Sequence, residues 1–245
     1  MPQIVVDLFF VTLVLACVTL VLRAVNDAWR GHTSRGRAFA IAALTIFAWL
    51  GITTGIALSG MLTPSPDRIP PNLPVLAFTM IAMLVLTLGP VGRRMVDSLS
   101  APKLIGFQVF RVPVELVLFM LAVNGVGPEL LSFEGRNFDI ITGLTAPLVA
   151  WLVWKRPNKA LVIGWNVLGL ALLANVLAHA VLSMPGPMQK IFVQPGPEIV
   201  AGFPYIWLPA YLVPLAAAGH VLSLRQALKP SAALVTPAKP EVAAT

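Results

Sequence analysis

The stretch Leu104-Ile-Gly-Phe-Gln-Val-Phe-Arg-Val-Pro-Val-Glu-Leu-Val-Leu-Phe-Met-Leu-Ala-Val-Asn-Gly-Val126 decides the fold. It has the length and apolar character of a helix that crosses a bilayer, for which ~20 residues suffice. Yet it carries Arg111 and Glu115, one helical turn apart. A guanidinium and a carboxylate in hydrocarbon are costly, and such residues mark a functional site or a structural ion pair.

Six further apolar stretches surround this one: Ile4–Leu22, Ala38–Gly60, Leu73–Leu88, Ile140–Trp154, Leu161–Ser183 and Phe203–Ser223. The chain of 245 residues is 58% hydrophobic and 11% charged, with a mean hydropathy of +0.86. Soluble domains carry roughly 25% charged residues, so the composition fits a multi-pass membrane protein. Lipid offers no partner to backbone polar groups, and the alternation of a transmembrane β-barrel is missing, so the spans read as helices. The expected fold is all-α, with seven transmembrane helices forming one domain over residues 1–225. The Ala- and Pro-rich tail 226–245 reads as a disordered cytoplasmic extension.

The net charge of +7 is distributed by side. Arg23, Arg30, Arg35, Arg37, Arg93, Arg94, Lys103, Lys155, Arg156, Lys159, Arg225, Lys229 and Lys239 fall in the connections of one side and in the tail. Only Arg68, Arg136 and Lys190 fall on the other. This positive-inside pattern predicts an outside N-terminus and a cytoplasmic C-terminus. It accounts for the basic excess without nucleic acid. No Lys or Arg precedes the first segment, which therefore reads as an anchor rather than a signal peptide. Cys17, the sole cysteine, reads as a buried thiol.

On the fourth segment Gln108, Arg111 and Glu115 share one helical face. Counting from the cytoplasmic end, Arg111 lies ~10 Å deep and Glu115 ~16 Å deep, near the midplane. Pro113 disrupts the helix between them. Three readings stand side by side: a structural i, i+4 ion pair satisfied by Gln108, a proton-exchanging Glu115, or an anion-binding Arg111 gated by Glu115. The same depth count places His220 level with Gln108 and Arg111, and Tyr211 level with Glu115. These five residues define a candidate polar seam between segments four and seven. His179 and His220 sit at opposite ends of their helices and His32 in a basic loop, so no metal or haem site is expected. No cofactor is expected either.

A second group of candidates belongs to the outer face. In Phe133-Glu-Gly-Arg-Asn-Phe-Asp139, Asn137 or Asp139 can cap the following helix, and Arg136 can pair with Glu134 or Asp139. Asn175 and His179 share one face of segment six, with Asn166 on the opposite face. Amides at such depths usually join helices. Segment seven contains Pro204, Pro209 and Pro214, which predict a bent or broken helix whose freed carbonyls can line a cavity. Gly51, Gly55 and Ser59 form a small-residue ridge suited to close helix packing, within the chain or against a membrane partner. The outer loops are proline-rich, which fits stiff turns or a lid.

The runs Gly106-Phe-Gln-Val-Phe-Arg-Val-Pro-Val-Glu115 and Phe133-Glu-Gly-Arg-Asn-Phe-Asp-Ile-Ile-Thr-Gly-Leu-Thr-Ala146 resemble a family of uncharacterised bacterial integral membrane proteins. Trp165-Asn166, Phe203-Pro204 and Leu212-Val-Pro214 with His220 are similar to it as well. The resemblance implies a seven-helix topology in a bacterial inner membrane and no activity. Segment seven lacks the lysine of a retinal protein. The chain also lacks the acidic, His-Glu-x-x-His and Walker motifs of familiar membrane enzymes. The functions left open are small-solute, proton or ion handling, ligand sensing, an accessory or scaffolding subunit, and an enzyme with an unfamiliar site.

Overall fold

A computed structural model describes residues 1–229 of the chain. Among these residues the regular structure is helical throughout. Its elements are α1 (Gln3–Ala28), α2 (Arg35–Leu58), α3 (Asn72–Leu88), α4 (Pro90–Ser98), α5 (Ala101–Gly106), α6 (Arg111–Val123), α7 (Ile140–Lys155), α8 (Lys159–Ser183) and α9 (Val213–Ala227). Four helical stretches are long and apolar enough to cross a membrane: α1, α2, Ala101–Val123 and α8. The pair α3–α4, bent by 60°, makes a fifth if counted as one.

The interior is built around α9. Leu215 through His220 are all buried, and the short side chains of Ala216, Ala217, Ala218 and Gly219 let neighbouring helices approach its axis. α3, α5 and α8 pack against it. α1 lays Val6, Phe10, Val14, Cys17 and Val18 against Val117 and Leu121 of α6 and against Ile206 and Leu212. The outward faces carry large apolar side chains, among them Leu44, Phe47, Phe78, Ile81, Trp151 and Trp154. Apolar surface this extensive is stable only in apolar surroundings.

Two helix breaks follow from proline chemistry. Pro113 has no N–H to offer the carbonyl of residue 109, and its ring crowds that carbonyl. The chain accordingly tightens into a 3₁₀ turn over Phe107–Phe110 before α6 begins at Arg111. The disruption thus precedes Arg111 instead of separating Arg111 from Glu115. In segment seven a π-helical turn, Leu208–Leu212, is inserted ahead of α9. Pro214 leaves the Ala210 carbonyl without its helical donor, and the indole Nε1–H of Trp49 supplies one at 2.9 Å. A second indole, that of Trp207, donates back to the Leu50 carbonyl at 3.2 Å and to Thr54 Oγ1 at 3.1 Å. Two crossed indole bonds therefore clamp α2 to the broken segment.

The ridge of Gly51, Gly55 and Ser59 faces away from this clamp. A Cβ built on Gly51 or Gly55 would meet nothing of the described chain within 4 Å. The expected tail boundary at residue 225 falls short of the helix end. α9 continues to Ala227, and Gln226 is buried with its Nε2 donating to the Val96 and Leu99 carbonyls at 2.9 and 2.5 Å. Those carbonyls end α4, so the amide fastens one helix terminus to another. Residues 230–245, which include Lys239 and most of the expected tail, lie outside the described residues.

Candidate functional site

Arg111 is 2% exposed and points from the first turn of α6 into the bundle. Its Nη2 comes within 2.9 Å of Asp139 Oδ2, and its Nη1 within 3.1 Å of His220 Nε2. The carboxylate contact is ionic: the Nη2–H direction misses the oxygen, and Nη2 completes no hydrogen bond among the described residues. The direct Arg111–Glu115 pair expected from the i, i+4 spacing does not form. The guanidinium reaches sideways to the N-terminal end of α7, where Asp139, a residue 5% exposed, offers its carboxylate. The reason is local. Gly143 presses against α6 so closely that an added Cβ would lie 2.9 Å from Val112 N and 3.2 Å from Arg111 Cβ. This crossing brings the start of α7 beside Arg111.

Asp139 occupies the N-cap position of α7 but makes no side-chain capping bond. A buried guanidinium is a stronger partner for its carboxylate than an N–H that the preceding loop can satisfy. The expectation that Asn137 or Asp139 caps the helix is corrected accordingly. Asn137 Oδ1 accepts the Asp139 backbone N–H at 3.0 Å, which fixes the amide orientation. Its Nδ2 then faces Glu115, 2.7 Å from Oε1 and 2.8 Å from Oε2, and also donates to the Leu131 carbonyl at 2.9 Å. Glu115, 2% exposed, thus has its carboxylate held by one amide and by no cation among the described residues. The loop 133–139, expected at the outer surface, folds inward and delivers both Asn137 and Asp139 to the interior.

The hydrogens of the network follow from one fact: a guanidinium only donates. His220 Nε2 must therefore accept from Arg111, so the imidazole is neutral and carries its proton on Nδ1. That Nδ1–H donates to Asn166 Oδ1 at 2.8 Å. The Asn166 amide in turn donates through Nδ2 to Ser223 Oγ at 2.9 Å and to the Val162 carbonyl at 2.7 Å. His220 and Asn166 are fully buried. Gly169 makes the room, since a Cβ there would sit 2.3 Å from His220 Cε1 and 3.2 Å from Thr142 Cγ2. Asn166, Ser223, Thr142 and Gly169 were not among the expected site residues. Asn166 was recognisable as facing away from Asn175, and that opposite face is the one turned to His220.

The other candidates fall elsewhere. Gln108 does not support the ion pair. It donates to the Ala216 carbonyl at 3.0 Å through a gap that Gly219 leaves open, and so joins the 3₁₀ turn to α9. Tyr211 is 2% exposed, but it packs in the apolar core and its hydroxyl has no partner among the described residues. The five-residue seam is therefore reduced to Arg111 with His220. Arg136 is exposed and joined to neither Glu134 nor Asp139; its backbone carbonyl accepts the Asn175 Nδ2–H at 2.7 Å. His179 Nδ1 lies 2.9 Å from the carbonyl of Asn175 in its own helix. Asp139 Oδ1 and Thr142 Oγ1, neighbours on the first turn of α7, complete the inner group as buried oxygens without a partner among the described residues. No cluster of three potential metal ligands occurs among these residues.

The site defines an all-helical protein whose apolar exterior encloses a polar network of one cation, two carboxylates and a neutral imidazole. The chain belongs to a family described as a domain of unknown function (DUF8737), matched over residues 70–228. Every residue of the network lies within that stretch, whereas α1, α2 and the Gly51–Ser59 ridge lie before it. No curated protein and no solved structure matches the chain.

Proposed function

We propose that the protein spans a bacterial inner membrane seven times, N-terminus outside and C-terminus in the cytoplasm, and handles a proton or small cation at the Asp139–Glu115 carboxylates beside Arg111. Seven apolar segments of the sequence support the count, of which α1, α2, Ala101–Val123, α8 and the bent pair α3–α4 are the five long and apolar enough to cross. The lysine and arginine distribution supports the orientation.

The observation that carries the function is the charge balance. Arg111 contributes one positive charge, the carboxylates of Asp139 and Glu115 two negative ones, and His220 none in the tautomer described above. All four residues are at most 5% exposed. An uncompensated charge at that depth is expensive, and a single proton or monovalent cation neutralises it. Infrared difference spectroscopy on the reconstituted protein tests this reading. A protonated carboxyl C=O stretch that responds to deuterium exchange is expected in the wild type, and it disappears in Glu115→Gln or Asp139→Asn. A wild type with neither this band nor proton or cation uptake sinks the proposal.

One observation favours a second reading, an accessory membrane subunit. The Gly51, Gly55 and Ser59 ridge is exposed and open beyond its backbone. Close packing of a partner helix there would be lost on Gly55→Leu, measured as loss of a co-purifying subunit or of self-association in detergent.

A further inference from the structure

The two carboxylates of the interior stand in different surroundings. Asp139 Oδ2 lies 2.9 Å from Arg111 Nη2, whereas none of the described cations forms a salt bridge with Glu115. A guanidinium compensates a buried carboxylate; a lone neutral amide leaves most of its charge in place. Glu115 is therefore the side chain that a neutralising positive charge must reach. The charged groups acting on it are Asp139, at the start of α7, and Arg111 on its own helix. α9 turns the neutral His220 to Arg111, and the buried ionisable group of α1 is Cys17.

Which ion can do this depends on Asn137. An amide presents either its oxygen or its N–H pair. The Asp139 backbone N–H occupies Oδ1 at 3.0 Å, so Nδ2 is the end turned to Glu115, 2.7 and 2.8 Å from its two oxygens. The Leu131 carbonyl beside them is engaged as well, by Nδ2 at 2.9 Å. Hard metal cations are held by several oxygens at once. Here the carboxylate faces hydrogens of positive partial charge, which repel a metal cation and accommodate a neutral carboxylic acid. Packing acts in the same direction. The unpaired oxygens of the first turn of α7, Asp139 Oδ1 and Thr142 Oγ1, are sealed from solvent, and Gly143 lies so close to α6 that even a methyl group would collide with Val112. A proton brings no ligand shell and needs no volume. We infer that the ion taken up is a proton, that it sits on the Glu115 carboxyl group, and that Asn137 selects it over sodium and potassium. The inference rests on the charge balance proposed above and narrows it to one ion and one side chain.

Infrared spectra of the full chain in liposomes test it, on protein made by cell-free synthesis with an isotopic label at the side-chain carboxyl carbon of glutamate or of aspartate. The protonated C=O band should move to lower frequency with labelled glutamate and stay in place with labelled aspartate. Exchanging N-methylglucamine for sodium or potassium at constant pH should leave it unchanged. Asn137→Asp presents oxygens in place of the N–H pair, and in it sodium should compete with the proton and weaken the band. Asn137→Ala adds no charge and is measured beside it; its band should move to higher frequency, because a carbonyl that loses a hydrogen-bond donor stiffens. A wild-type band that follows the aspartate label, or that sodium or potassium abolishes, overturns the inference while the charge balance stands. Cation uptake without any band does the same. An unshifted band in Asn137→Ala, or one in folded Asn137→Asp as indifferent to sodium as the wild type's, denies Asn137 the selection. Absence of both band and uptake removes the charge-balance proposal itself, so the two failures are distinct.

Discussion

Arg111 Nη1 donates to His220 Nε2 across 3.1 Å, and this one bond sets the direction of every hydrogen bond from α6 to Ser223. His220→Gln should be tolerated better than His220→Leu, because the amide oxygen of Gln can still accept from the guanidinium. Leu leaves Arg111 Nη1 and Asn166 Oδ1 unpaired, at roughly 1–3 kcal/mol for each buried group. Thermal unfolding in detergent distinguishes them: equal losses for the two variants would show that the bond contributes nothing.

Arg111 and Asp139 form the ion pair of the interior. Arg111→Gln should cost about 3–5 kcal/mol, because it strands a buried carboxylate. The double variant Arg111→Gln with Asp139→Asn should recover most of that loss, whereas Arg111→Gln with Glu115→Gln should recover less. A double-mutant cycle on unfolding midpoints measures both couplings. The opposite order would restore Glu115 as the direct partner of Arg111.

Among the described residues Asn137 is the single donor that holds Glu115. Asn137→Asp is nearly isosteric but replaces the N–H pair with an oxygen against a carboxylate, so the protein should lose more stability than in Asn137→Ala. Adding Glu115→Gln should reverse that excess, since its amide can donate to the new carboxylate. Melting curves of the three variants decide the matter, and the absence of rescue would remove the contact from the energetics.

Gly169 exists for the ring of His220. Gly169→Ala should destabilise by roughly 1–3 kcal/mol through overpacking. Gly164→Ala, one and a half turns earlier on α8 with nothing of the described chain within 4 Å of its Cβ, should be neutral or slightly stabilising. Unfolding temperatures of the pair, measured side by side, give the comparison.

Trp49→Phe keeps an aromatic ring of smaller volume and deletes the N–H that answers the Ala210 carbonyl. The expected loss is about 1 kcal/mol, with faster amide exchange over residues 208–213 and little change elsewhere. Uniform exchange across the chain would deny the clamp any local role.

The cost of Arg111 and Glu115 in an apolar run is visible without coordinates, and counting the rise per residue places His220 at the depth of Arg111. The same count levels Tyr211 with Glu115, yet the two do not meet. Rise along a helix fixes depth, while the direction a side chain takes around the axis depends on neighbours and on breaks such as the π turn. The loop 133–139 was hidden for a different reason. Its polar residues satisfy every local rule for a cap and turn, and only the packing of Gly143 on α6 draws Asn137 and Asp139 inward. Asn166 resembled helix glue because an amide that bridges two helices and one that orients an imidazole have the same local pattern.

A guanidinium cannot accept a hydrogen bond, so the row Arg111–His220–Asn166–Ser223 has a built-in polarity. To reverse it, Arg111 must first swing off Nε2. Arg111 is therefore a latch: while it stays engaged, His220 has no free lone pair for an arriving proton, and only its release would turn the imidazole into a relay.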